Sequence, residues 1–195
     1  MVGRRDPAMA LLIKAAGPIE LRDPLDSSFA ALVRSILYQQ LAGAAAAAIH
    51  GRFLKLFAEG LSPAAVLALP EGAMRAAGLS GSKAAAITDL ARKVEDGTVP
   101  LHDVESLIDD ELVARLVQVR GIGRWTAEMF LIFQLRRLDV WPVDDYGVRK
   151  GWAIAHRLPD LLRPRALQAE GERFRPFRTI AAWYCWRAVD TVLPA

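Results

Sequence analysis

Gly121 and Gly123 flank a single apolar residue, Ile122, at the point where one helical pattern stops and another starts. Leu112, Leu116, Val117 and Val119 supply the apolar face of the first helix, and a second opens at Arg124. A turn this tight has no room for side chains at its two ends, which is why glycine stands there. The first-turn amides of the second helix lack carbonyl partners within it. With the helix dipole behind them, they attract an anion such as a phosphate. A glycine pair between helices is also ordinary packing punctuation, so the flanks decide. Here an apolar hook precedes the turn, Arg120 and Arg124 stand beside it, and Thr126-Ala127 is small enough to let the second helix pack closely.

The same periodicity runs through the rest of the chain. Phe29, Leu32, Val33, Ile36, Leu37 and Leu41 recur at helical spacing behind Asp26 and Ser27 as candidate N-caps. Residues 44–57 predict an alanine-rich helix, Ser62-Pro63 a capped start, Gly78 a stop, and residues 82–94 a further helix. Asp109 or Asp110 is the expected cap of the helix entering the glycine turn, and residues 125–137 leave it. Asp144 or Asp145 starts the next helix, which ends near His156. Residues 165–174 and 179–192 close the chain. Strand patterns are few and neither repeats nor low-complexity linkers occur, so the reading is all-α.

With 195 residues, 53% of them hydrophobic and 24% charged, the chain can bury one good core or two small helical lobes. No uninterrupted apolar run of roughly twenty residues is present, and the first residues lack the apolar stretch of a signal peptide. A cytoplasmic location is therefore expected. The single cysteine, Cys185, excludes an internal disulfide framework, a cysteine zinc site and a four-cysteine iron–sulfur cluster. His50, His102 and His156 lie in separate segments without ligand spacing and read as surface or capping residues. The net charge of +3 permits an acidic partner without requiring one.

Several segments, taken in order, carry a family likeness. They are residues 32–41 (Leu-Val-Arg-Ser-Ile-Leu-Tyr-Gln-Gln-Leu), Ala77-Gly78-Leu79-Ser80 with Lys83, the glycine turn, Pro142 with Asp144-Asp145, and Phe174-Arg175-Pro176-Phe177-Arg178 through to Trp186. This order resembles the helix-hairpin-helix base-excision DNA glycosylases and is most similar to the 3-methyladenine DNA glycosylase II branch. The likeness runs from about Asp23 to Trp186, nearly the whole chain. Some relatives carry an additional β-rich domain at the N-terminus, so this chain looks like the minimal catalytic core.

The resemblance implies two helical lobes with a DNA-binding cleft between them. Residues 28–137 would form a lobe holding a wedge loop and the helix-hairpin-helix, and residues 138–195 a second lobe carrying the catalytic aspartate. Residues 1–27 would form an arm packed on that second lobe. The implied partner is double-stranded DNA containing alkylated bases, met by a monomer that associates with the nucleoid when acting and touches no membrane. No cofactor is implied. A monovalent cation held by the backbone carbonyls of Val117, Val119 and Gly121 is part of the family pattern. Gly121, Gly123, Arg120, Arg124 and Thr126 are the expected phosphate-binding residues. Arg149, Lys150, Arg175 and Arg178 read either as additions to that face or as solvated helix charges.

An enzyme acting on a base hidden in the duplex must flip the nucleotide out and fill the gap. The resemblance places the filler at Gln40 or Leu41; the alternative has Leu41 in the core and the glutamines capping a helix. Asp145 matches the family's catalytic aspartate, with Asp144 left as the helix cap or a structural carboxylate. A carboxylate there would stabilise positive charge on the sugar as the N-glycosidic bond breaks, and could orient or deprotonate water. An alkylated purine already carries positive charge and leaves neutral, so little general acid is needed.

Bifunctional relatives carry a lysine nucleophile where this chain has Trp125, which cannot form a Schiff base. The expected enzyme is a monofunctional hydrolase, with Lys83 and Lys150 solvated. Trp125, Trp186, Tyr146 and Met129 fall at base-pocket positions, where aromatic faces suit a cationic base; Trp183 reads equally as core. Two rivals remain: a non-catalytic helix-hairpin-helix DNA-binding module, and a glycosylase for deaminated or oxidised bases.

Overall fold

The computed structural model describes residues 2–21, 23–25 and 27–191. In chain order its helices are α1 (Pro7–Ala16), α2 (Ser28–Tyr38), α3 (Gly43–Leu54), α4 (Pro63–Leu67), α5 (Ala73–Ala76) and α6 (Gly81–Glu95). There follow α7 (Asp109–Leu116), α8 (Arg124–Phe133), α9 (Tyr146–Ala155), α10 (Pro164–Gly171) and α11 (Arg178–Asp190). Short 3-10 turns cover Val2–Arg4 and Glu172–Phe174, and no strand occurs among the described residues. The chain is all-α.

Local chemistry explains most of the helix starts. The hydroxyls of Ser27, Ser62 and Ser80 accept N–H bonds from Ala30, Ala65 and Lys83, and Pro63 fixes the first turn of α4. The other cap candidate for α2, Asp26, lies outside the described residues, as does Val192, the expected end of the last helix.

Some starts and ends differ from expectation. Ile108, not Asp109 or Asp110, is the N-cap of α7. Those two aspartates and Glu111 occupy the first turn, where they oppose the positive end of the helix dipole. The α8 helix stops at Phe133, short of residue 137, and Arg136 just beyond it takes a left-handed φ of 58°. The α1 helix was not anticipated, although Asp6-Pro7 is a cap followed by an N1 proline, and Asp6 accepts the Met9 N–H at 3.1 Å.

The contacts divide the chain into two compact units: residues 24–130, and residues 1–23 together with 131–195. In the first, α4 and α5 pack on α6, and α2 packs on both α3 and α6. Leu32, Val33, Ile36 and Leu37 of α2, Ile87 and Leu90 of α6, and Leu112 and Leu116 of α7 are buried. Each such side chain contributes about 1.5–3 kcal/mol when removed from water.

The second unit is built on the close pairing of α9 with α11, with α1 packed against both. Met9, Leu12, Trp141, Val148, Trp152, Leu167, Phe174 and Cys185 form its core. Buried polar tips find backbone carbonyls: the Trp141 indole N–H donates to Leu167 at 2.8 Å, and the Tyr184 hydroxyl to Gly17 at 2.9 Å. Gly151 of α9 lies directly on the Cys185 backbone, and a Cβ there would fall inside the Cys185 carbonyl oxygen.

Asp6 ties the N-terminal segment into this unit. Its buried carboxylate meets His156 Nε2 at 3.0 Å and Arg173 at 3.2 Å. Burial pushes the carboxyl pKa up, but the hydrogen bonds from His156 and the Met9 N–H, with the charges of His156 and Arg173, bring it below its ordinary value. A carboxyl lowered on folding stabilises the protein fully above its unfolded value near 3.9. That stabilisation is lost as the pH falls through the folded value. Asp6→Asn keeps a capping oxygen but removes the charge. It is expected to cost about 2 kcal/mol at neutral pH and to flatten the loss of stability below about pH 4, as read by denaturant unfolding across that range.

Candidate active site and DNA-contacting loops

In the unit of residues 24–130, α7 and α8 flank the glycine turn. Val119 O accepts the Ile122 N–H at 3.0 Å, and Gly123 O accepts the Ala127 N–H at 3.1 Å, which starts α8. Gly121 has a φ of 78°, a conformation that L side chains rarely adopt, and a Cβ there would lie 3.4 Å from Ala86 of α6. Gly121, Gly123, Arg120 and Arg124 are exposed, whereas the Thr126 side chain is buried. An anion contact by Thr126 is thus left to its backbone. The Arg124 guanidinium pairs with Glu128 on its own helix at 2.9 Å. Asp89 of α6 accepts the Arg120 backbone N–H at 2.8 Å, fixing the turn from behind.

The loop after α2 stands next to this turn. Gln40 takes a left-handed φ of 55° and is exposed, and Leu41 is 38% exposed, so Leu41 is not core. Gln39 is the C-cap residue of α2, but its side chain turns away from the helix end. Lys83 supplies the side-chain cap: its ammonium donates to Leu37 O at 2.6 Å and Gln39 O at 2.8 Å. Lys83 is half-buried rather than solvated, and burial pushes its pKa down. The Gln39 side chain reaches the glycine turn, donating to Gly121 O at 2.9 Å.

In the other unit, Pro142 O accepts the Asp145 N–H at 3.0 Å, closing a turn that delivers Asp145 to the start of α9. Asp145, not Asp144, is the N-cap: its Oδ1 accepts the Val148 N–H at 2.8 Å. The same Oδ1 accepts the Trp186 indole N–H of α11 at 2.8 Å. One backbone and one indole donor therefore fix the carboxylate plane, while Asp144 is exposed in the turn. Capping and candidate catalysis fall on one residue, because a helix N-terminus is where a carboxylate is most easily held.

Sequence reasoning missed two residues packed on the Trp186 indole that holds this carboxylate. Gly147 makes room for the indole: a Cβ there would lie 2.7 Å from Trp186 Cδ1 and 3.1 Å from Asp145 Oδ1. Its signal was a glycine inside the first turn of a helix, where it costs propensity and needs a packing reason. Phe133 stacks on Trp186, with centroids 5.6 Å apart and planes 28° from parallel. Phe133 lies within the apolar end of α8, and its periodicity gave no hint of this role.

The remaining candidates are placed as follows. Trp125 and Tyr146 are exposed aromatics, one in each unit, and Met129 is half-buried. Trp183 is core, its indole N–H donating to Glu20 O at 3.2 Å. Arg175 and Arg178 bind Asp139 and Glu172, and Arg149 donates to Leu162 O at 2.9 Å. These three arginines are engaged in holding their own unit together. Among the described residues, no cluster of side chains is arranged to ligate a metal.

Residues 33–176 match the model of the HhH-GPD superfamily base excision DNA repair proteins. The chain is 38% identical over 172 residues to DNA-3-methyladenine glycosylase 1 of Schizosaccharomyces pombe, covering 87% of this chain and 74% of the relative. Its fold superposes on a DNA-3-methyladenine glycosidase from Bacillus halodurans with a TM-score of 0.89 at 32% identity, covering 96% and 86% of the two chains. It also superposes on the Schizosaccharomyces pombe 3-methyladenine DNA glycosylase in complex with abasic DNA, with a TM-score of 0.78 at 36% identity, covering 93% and 91%. The exposed glycine turn, the carboxylate held at the start of α9 and these likenesses agree, and the chain belongs to the HhH-GPD superfamily of base excision DNA repair proteins.

Proposed function

We propose that this protein is a monofunctional DNA glycosylase that hydrolyses the N-glycosidic bond of alkylated purines in duplex DNA. The observation that carries the reading is Asp145, whose Oδ1 is fixed by the Val148 N–H and the Trp186 indole. Capping α9 needs only an acceptor oxygen, which serine or asparagine supplies as well; a non-catalytic DNA-binding module gains nothing further from the charge, which weakens binding near a polyanion. In a glycosylase the same group stabilises the oxocarbenium-like transition state and positions water. The relatives named for 3-methyladenine excision support alkylated purines as substrate.

The other parts follow from the chemistry of a stacked base. The turn at Gly121 and Gly123 grips a phosphate, Gln40 or Leu41 enters the stack, and the exposed aromatic face of Tyr146, next to Asp145, receives the flipped base. A cationic base gains cation–π attraction from such faces, worth about 0.5–2 kcal/mol. The family likeness implies a monovalent cation on the carbonyls of Val117, Val119 and Gly121; Val119 O and Gly121 O each accept one hydrogen bond and keep a second lone pair for it. Such an ion would add positive charge toward a phosphate.

Lys83 argues against lyase chemistry. An amine donating to two carbonyls at 2.6 and 2.8 Å does not offer its lone pair to a sugar. Methylated duplex DNA is therefore expected to lose free 3-methyladenine and 7-methylguanine, leaving an intact strand with an abasic site that breaks only on alkali treatment. Borohydride should trap no protein–DNA adduct. Strong trapping would overturn the monofunctional assignment, DNA binding without base release would favour the silent module, and faster release of hypoxanthine than of alkylated purines would move the enzyme to the deaminated-base class.

A further inference from the structure

A single helix, α6, holds both loops that the unit of residues 24–130 offers to DNA. From its first turn Lys83 reaches the end of α2, and from two turns further on Asp89 holds the Arg120 amide of the glycine turn at 2.8 Å. The last carbonyls of a helix have no internal donors and carry its negative end. Glycine commonly resolves such an end, but α2 runs into Gln39 and then Gln40, a non-glycine residue at φ 55°. That conformation is sparsely populated for an L side chain and persists only when its surroundings impose it. Here the constraint comes from the Lys83 ammonium on Leu37 O and Gln39 O, and from the Gln39 amide on Gly121 O at 2.9 Å.

We propose that Lys83 is the positioning residue of the intercalating loop: by capping the end of α2 it holds Gln40 and Leu41 in fixed register with the Gly121–Gly123 turn, so that gripping a phosphate and entering the base stack occur in one geometry. This rests on the glycosylase reading above. In that role Lys83 touches neither base nor phosphate, and its removal should impair insertion more than binding.

The test uses the full chain with Lys83→Met, which keeps the stem and loses the donors, and Lys83→Arg, which restores them. The DNA is a duplex with one 7-methylguanine beside 2-aminopurine, whose fluorescence rises when it is unstacked. With Lys83→Met the single-turnover excision constant at saturating enzyme should fall about tenfold or more, and the fluorescence rise should shrink. The Kd and its salt slope should stay near wild type, and Lys83→Arg should recover most of the rate. An unchanged rate and fluorescence rise would overturn the proposal. So would a salt slope reduced by about one with the rate intact, which marks a direct phosphate contact. If Lys83→Met does not fold, Gln39→Met cuts only the tie to Gly121. A smaller loss of rate and fluorescence is then expected, and wild-type behaviour in both overturns the proposal. If the wild-type protein unstacks 2-aminopurine but releases no base, the glycosylase reading fails, and the fluorescence measurements alone decide the role of Lys83.

Discussion

Asp145→Asn is expected to slow excision of 7-methylguanine by about two to four orders of magnitude while the protein still folds and binds damaged DNA at least as tightly. The substitution is unusually clean here. Asparagine is as good an N-cap as aspartate, and its carbonyl oxygen can keep both bonds that Oδ1 now accepts, from the Val148 N–H and the Trp186 indole. Geometry is thus held while the charge goes. Binding should rise or stay level, because a negative group near phosphates is removed. Single-turnover excision and fluorescence anisotropy on the same duplex separate the two effects, and wild-type turnover would remove Asp145 from the mechanism. Asp144→Asn should leave both nearly unchanged, since Asp144 neither caps α9 nor lies on the indole.

The second large effect is structural. Gly151→Ala should destabilise the protein by about 3 kcal/mol or more, the upper end for overpacking, because the added Cβ would lie 1.7 Å from the Cys185 carbonyl oxygen and 2.8 Å from Cys185 Cα. The obstacle is backbone, which cannot rotate aside, so α9 and α11 would have to separate. For a chain of this length that corresponds to a fall in Tm of about 6–12 °C, measurable by circular dichroism. A melting point within a degree or so of wild type would mean that the two helices slide without cost.

Most helices were legible because their starts are written in adjacent residues: Ser62-Pro63 is a cap and an N1 proline, and α2 carries an apolar stripe from Phe29 to Leu37. What the sequence hid were relations between distant residues. Nothing local distinguishes Asp144 from Asp145 as a cap, because either can accept an N–H at N3. The choice is made by the turn at Pro142 and by an indole from α11. Lys83 reads as a surface lysine because its partners are carbonyls, which every residue has. Gly147 and Gly151 read as weak points in a helix until the partner that needs the space is known. The family motifs located the candidate site, while the parts that hold its carboxylate in place came from tertiary contacts.

Cys185 is the only cysteine in the chain and is wholly buried beneath α9, where burial pushes its thiol pKa far above the ordinary range. A neutral, enclosed thiol reacts with neither disulfides nor maleimides while the fold is closed. The folded protein therefore offers a background without a reactive thiol for labelling. A cysteine introduced at the exposed Leu41 would be the sole reactive thiol and could be disulfide-linked to a modified base, capturing the protein on DNA without first engineering out its own. Slow labelling of Cys185 itself would time the rare openings of α9 from α11.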